Sequence, residues 1–523
     1  MNTVKLTAVL FPAIHGEKDL PLGIIYIAQK LYELGFNVKI VDLNLFLDKG
    51  EVDLRDLRRV VEQADLIGFS SYRSTIQADA SIMWSIKDFM KDEAIMICGG
   101  WGPTLNPDLY LEVCPADIMV RGVHMQALEI LELLTRFIRG EIAIEQVKGI
   151  TARVGDTLLN TPLPMVPAEI PRVKWELIDR FGVDPHQYVE EGTILVPVLG
   201  ALAPCPRYLS GMGCIYCSMA RIVSEYQKIY GNSFHLVKER LARFDHDRVV
   251  DDIKSALNYF KRRLGRHLER VSITIVDDTM TPRNFELLYN SLMEDGLMDE
   301  LGYIKFQTRP DMVERIVNLI DTKYRSKFII DVGLEFLSSK DLTFTRRGYD
   351  KATILRAIDV LKSSGVRWTA YVILSTPFSR AEDLKSNIDL ALEVAFKADL
   401  LRCNPYLLEE NNALSLILDE SDFTWHEVVI DCVKKVTVRI PYRPRFKSSL
   451  EELKKMLSLV EDFITLTSEL RGLVMHSLRE ENLVDRKEDL VKLVNLEELL
   501  SALERLKKAL NEDYIERVKG KEI

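Results

Sequence analysis

The chain lacks basic excess: its 523 residues carry 69 Lys and Arg against 79 Asp and Glu, a net charge of −10. Non-specific binding to DNA or RNA needs the opposite balance, so no nucleic-acid partner is expected. Long hydrophobic runs are missing as well. The longest, 193–204, carries two prolines and falls short of the roughly 18 apolar residues that cross a bilayer. The first five residues run straight into a strand-like segment, without the charged region and cleavage site of a secretory signal. A cytoplasmic protein with no membrane span is expected. Cysteine is sparse: Cys98, Cys114, Cys205, Cys214, Cys217, Cys403 and Cys432 make seven, an odd and scattered count that is no disulfide framework. No Gly-x-Gly-x-x-Gly follows the first strand, which weakens a dinucleotide reading, and no internal repeat stands out.

What is present is an ordinary globular composition, 47% hydrophobic and 28% charged, in a chain long enough for two to four domains. Over 1–145, short apolar runs alternate with amphipathic ones, which predicts a doubly wound parallel sheet. Ligands of such sheets lie beyond the strand C-termini, so 12–21, 70–75, 99–103 and 122–124 should share one mouth. Prolines crowd 146–190, read as an extended linker. From 191 to 408 about six βα units suggest a partial (β/α)6 barrel with its chemistry at the strand ends. Across 409–523 the strands stop, and apolar residues at helical spacing predict a helical C-terminal domain. The class is α/β with a helical appendage.

Three cysteines fall within thirteen residues: Cys205, then Cys214-Ile-Tyr-Cys217, directly after the first strand of the middle region. Closely spaced thiolates on one loop suit an iron–sulfur cluster, and three of them would leave one iron of a four-iron cluster open. Zinc would want a fourth ligand at defined spacing, which is missing. Unligated buried thiols are the plain alternative. Later strands end in Asp277-Asp278-Thr279, in Gln307-Thr308-Arg309 and in Gly333-Leu334-Glu335, with Arg347 twelve residues on. A Glu suits ribose hydroxyls or an ammonium, and an Arg suits a carboxylate. Asp277 and Asp278 also read as a helix N-cap pair, and Glu335 with Arg347 as a structural ion pair.

A strand, a three-cysteine loop closing on Cys-x-aromatic-Cys and a half-barrel resemble the radical S-adenosylmethionine superfamily. The first cysteine gap here holds eight residues, against three in the usual motif. The resemblance implies a 4Fe–4S cluster on Cys205, Cys214 and Cys217, whose open iron takes S-adenosylmethionine. It places Tyr216 beside the adenine, with Asp277, Asp278, Gln307, Glu335 and Arg347 as further contacts. The N-terminal mouth, with Pro21 and Gly23, Ser70 and Ser71, Gly99, Gly100 and Pro103, and Gly122, resembles the cobalamin domain of the class B members, as does Trp175-Glu176-Leu177 in the linker. Those residues are expected to contact cobalamin, though a nucleotide or flavin remains a rival in such a sheet. The Asp-x-His-x-x-Gly motif is absent around His15, so no histidine is expected on the lower cobalt face. The implied activity is methylation of an unactivated carbon. Cyclisation, oxidation or carbon–carbon coupling on the same architecture is an alternative, and a non-enzymatic cobalamin or iron–sulfur sensor is a third. An external electron donor such as ferredoxin or flavodoxin is implied. The substrate, whether small molecule, lipid or peptide, is not readable.

Overall fold

The computed structural model describes every residue except 1–4, 50–53, 123–124, 168, 202–204, 206, 208–212, 218, 242, 278, 407–417, 431–435, 481–485 and 520–523. Two seven-stranded sheets dominate it.

The first sheet takes β1 (Thr7–Phe11), β2 (Asn37–Ile40), β3 (Leu66–Ser70), β4 (Ile95–Gly99) and β5 (Ile118–Val120) in the order β2-β1-β3-β4-β5, all parallel. Ala8–Phe11 are fully buried, as a strand covered by helices on both faces requires. Among those helices are α1 (Leu22–Glu33), α2 (Ile76–Lys87) and α3 (Gln126–Ile138). The order reverses at β1, which puts the switch point between β1 and β3. The linker expected over 146–190 is partly regular structure. β6 (Ile150–Val154) and β7 (Thr157–Asn160) form a hairpin that extends the first sheet antiparallel to β5. The turn Gly155-Asp156 between them, with Gly155 at φ +60°, is a hairpin signal that the prolines obscured.

The second sheet runs β14-β13-β12-β11-β10-β9-β8. β8 (Val189–Glu190) is antiparallel to β9 (Thr193–Val198). From β9 on, β10 (Arg270–Ile275), β11 (Leu301–Thr308), β12 (Phe328–Glu335), β13 (Arg367–Ile373) and β14 (Leu400–Asn404) are parallel, forming a half-barrel. β8 pairs only with Thr193 and Ile194, so Pro197 lies where one edge of β9 is unpaired and its missing N–H costs no ladder bond. Helix α4 (His246–Leu264) packs outside β9 and β10, and α5 (Ala381–Ala395) outside β13 and β14. Trp175 is fully buried with its ring 5.3 Å from that of Phe260 on α4; it staples the linker to the half-barrel.

Strands do not stop after 408. β15 (Phe423–Ile430) and β16 (Val436–Pro444) make an antiparallel hairpin, which reaches back to the first domain at α2. The alternating Val436, Val438 and Ile440 carry the strand period that Arg439 and the arginine- and proline-rich stretch 441–445 after them hid. The expected helices follow as α6 (Leu450–Glu480) and α7 (Arg486–Lys519). Buried Arg443 ties hairpin to helix through both oxygens of Asp513, each at 3.0 Å. No helix among the described residues is long and apolar enough to cross a membrane.

Candidate functional site

The interior face of the half-barrel has two halves. On β9 and β10 the inward residues are apolar: Leu195, Pro197, Leu199 and Val276, with Thr274. On β11 to β14 they are polar: Gln307, Asp331, Glu335, Tyr371, Arg402 and Asn404. Each half walls a separate cavity.

The polar cavity, about 460 Å³, has Tyr216, Gln307, Glu335 and Arg347 on its wall. Arg347 is its hub. Its guanidinium donates to the Gly333 carbonyl at 2.7 Å and to the Tyr349 hydroxyl at 2.6 Å, and also donates to the Tyr216 hydroxyl. It lies 3.4 Å from Glu335 Oε1 and 3.6 Å from Cys214 Sγ. Burial pushes the Glu335 carboxyl above its ordinary pKa, against the pull of Arg347. Glu335 also has φ +63°, where the register between β12 and β13 shifts. Such a conformation in a non-glycine residue is costly and marks a constrained site.

Cys205 Sγ accepts from Thr279 Oγ1 at 3.7 Å, and Thr279 lines the same cavity. Cys214 is buried, and the Cys217 amide donates to the Cys214 carbonyl at 3.4 Å. Among the described residues no three His, Cys, Asp or Glu side chains gather into a site for a single metal ion. Cys205 and Cys214 instead meet separate residues of one cavity rim, Thr279 and Arg347. Thiols beside a hydroxyl donor and a buried guanidinium are a donor set that suits an iron–sulfur cluster.

Asp277 departs from its expected place. It is not on the cavity wall; its Oδ1 accepts from the amides of Gly200 at 2.8 Å and Ala201 at 3.2 Å, holding the segment that leads from β9 to the cysteines. Asp278 lies outside the described residues. The sequence reading did not assign Arg309, which braces Arg347 through its carbonyl at 2.9 Å, nor Tyr349. Nothing in their local pattern separates them from surface residues.

The second cavity, about 560 Å³, opens beyond the C-termini of β1, β3, β4 and β5 and is closed from the far side by the half-barrel. Pro21, Gly23, Ser70, Gly99, Gly100 and Gly122 line it. A Cβ built on Gly23 meets no atom within 4 Å, so its absence widens the cavity rather than the packing. Gly100 has φ +99°, and a Cβ there would lie 2.9 Å from the Ser71 carbonyl. Ser71 and Pro103 depart from expectation, since both are buried off the wall. Ser71 Oγ donates at 2.5 Å to Asp79, which fixes the mouth. His15 does line the cavity; its Nδ1 accepts from the Glu17 amide at 3.1 Å. The apolar floor and glycine rim leave room for a large flat ligand and offer it few charges, which fits a corrin.

Residues 18–132 match the family described as the B12 binding domain. Across 95% of its length the chain is similar to the cobalamin-dependent S-adenosylmethionine radical enzyme OxsB with aqua-cobalamin bound, covering 72% of that chain at TM-score 0.63 and 12% identity. It is similar too to the radical S-adenosylmethionine methyltransferase TsrM of Kitasatospora setae with cobalamin and a 4Fe–4S cluster bound. There it covers 87% of its own length and 89% of TsrM, at TM-score 0.59 and 12% identity. The chain has the fold of the cobalamin-dependent radical S-adenosylmethionine enzymes. The first sheet and the half-barrel together wall the apolar cavity, and the half-barrel walls the polar one. No curated protein sequence matches the chain.

Proposed function

We infer that the protein is a cobalamin-dependent radical S-adenosylmethionine enzyme that methylates an unactivated carbon. One observation carries the reading: a polar cavity whose wall residues Thr279 and Arg347 contact Cys205 and Cys214, and a glycine-rimmed apolar cavity, share a single half-barrel sheet. When bound, the cluster with S-adenosylmethionine supplies a carbon-centred radical, and the corrin supplies a methyl carrier.

The chain's own part is to bind, orient and exclude water. Cys205, Cys214 and Cys217 hold the cluster. Arg347 and Glu335, with Gln307 and Tyr216, hold S-adenosylmethionine, the guanidinium on its carboxylate and the Glu on its hydroxyls. Asp277 acts through the backbone, keeping the cysteine segment against the cavity. Pro21, Gly23, Ser70, Gly99, Gly100 and Gly122 seat the corrin, and Ser71 and Pro103 support that seat from behind. An external one-electron donor of the ferredoxin or flavodoxin type completes the system.

Anaerobic reconstitution tests the cofactors. Wild-type protein should bind about four irons with a broad brown absorbance that dithionite bleaches, and should retain corrin bands. The Cys205→Ala/Cys214→Ala/Cys217→Ala variant should lose the iron and keep the corrin. Full iron in that variant would sink the reading. Methylation predicts S-adenosylhomocysteine alongside 5′-deoxyadenosine; 5′-deoxyadenosine without it replaces methylation by another radical reaction.

A further inference from the structure

Asp331 lies midway along β12, facing inward like Gly333 and Glu335, and is only 3% exposed. Its Oδ2 forms an ion pair with Lys305 Nζ at 3.2 Å and accepts a long bond from the Tyr371 hydroxyl at 3.4 Å, while Oδ1 has no hydrogen-bond partner. An ionised carboxylate offers about four acceptor positions, and a buried one left short of donors is costly unless something completes it. Rotation about its last side-chain bond lets either oxygen turn to the cavity that Asp331 lines.

Two strands away, Arg402 on β14 lines the same cavity, opposite Tyr371 in the β13–β14 register. It is held in no ion pair with a described residue. One cavity therefore offers an under-satisfied carboxylate and a guanidinium on either side of Tyr371. The position is selective too. Lys305, the partner of Asp331, lines the corrin-side cavity, so the Asp331–Lys305 pair is the partition between the two cavities. A substrate that must meet chemistry from both sides lies against that partition.

We propose that Asp331 and Arg402 bind the substrate, and that the substrate is a free amino acid, its ammonium on Asp331 and its carboxylate on Arg402. The proposal rests on the function inferred above. S-adenosylmethionine carries the same two groups, but its seat is on the cysteine side at Glu335 and Arg347. Asp331 lies four residues earlier on the same face of β12, beside Lys305.

The test is anaerobic calorimetric titration of reconstituted protein, saturated with S-adenosylmethionine, using each standard L-amino acid in turn. At least one binds. Its N-acetyl and carboxamide derivatives bind at least about tenfold more weakly. Asp331→Asn lowers affinity for the free amino acid by a similar factor and abolishes the discrimination against N-acetylation; Arg402→Met does the same for the carboxamide. The derivatives need no variant, and Asp331→Asn/Lys305→Met leaves no orphan charge should the single change destabilise the fold. The proposal is overturned if no amino acid binds, if N-acetylation is tolerated, or if S-adenosylmethionine competes the amino acid away. Iron and corrin contents of the same samples separate this outcome from failure of the parent reading, which would show as their absence.

Discussion

Three donors converge on the carboxylate of Asp79. The Ile14 amide reaches it at 3.0 Å, and the Ser71 and Thr75 hydroxyls at 2.5 Å each. Ile14 belongs to the loop after β1 and Ser71 to the loop after β3, so one carboxylate joins the two loops at the switch point. Complete burial raises its pKa to about 6 against those hydrogen bonds. A raised carboxyl pKa means that between about pH 4 and 6 the folded chain holds a proton that the unfolded chain has lost. This contribution to stability is full below the unfolded pKa of 3.8 and is lost as pH rises through about 6. About two pH units correspond to roughly 3 kcal/mol. Denaturation midpoints of wild type should therefore fall between pH 4.5 and 7 relative to those of Asp79→Asn, in which that slope flattens. Equal slopes would show that Asp79 titrates normally. From sequence, Ser71 read as a ligand contact because it follows a strand end. Asp79 went unread, because a single acid in a helix carries no periodic signal.

β12 concentrates the constraint at the element scale. On its inner face Gly333 sits between Asp331 and Glu335: a Cβ there would lie 2.6 Å from Glu335 Oε1 and 3.1 Å from Arg347 Nη2. Its carbonyl takes bonds from both Arg347 and Tyr349. Gly333→Ala should part the Glu335–Arg347 pair without emptying the core behind it. S-adenosylmethionine affinity, read by equilibrium dialysis, should drop about tenfold, while iron content and thermal midpoint stay close to wild type. Unchanged affinity would remove the pair from the binding site. Elements of this kind were legible in part. Strand C-termini announce themselves, because polar residues follow apolar runs, and Gln307 and Glu335 stand out in that way. Arg347 stands out only by its spacing from Glu335; all three line the polar cavity. Asp331 was hidden, since in Ile-Ile-Asp-Val-Gly the acid sits inside the run and only the period of two turns it inward. Asp277 accepts from the Gly200 and Ala201 amides, a partner choice that sequence does not give, since it does not say which neighbour a strand-end acid will cap.

At the scale of the molecule, the doubly wound sheet and the half-barrel were readable from alternation alone. Their relation was not. No local pattern says that Leu195, Pro197 and Val276 of the half-barrel would close a cavity whose mouth belongs to the first sheet, or that a hairpin at 423–444 would return to α2. Those are long-range contacts, and periodicity reports only which face is apolar. The shared wall makes a prediction that a self-sufficient B12 domain does not. Val276 is 45% exposed and borders the corrin-side cavity from the end of β10, so a larger side chain there costs little core packing. Val276→Trp would project into the space beyond the first sheet. Corrin retained after gel filtration should fall at least about tenfold, while iron content stays unchanged, because Cys205 and Cys214 contact Thr279 and Arg347 rather than Val276. Full corrin retention would mean that the ligand sits elsewhere on the first domain, and that the half-barrel does not close over it.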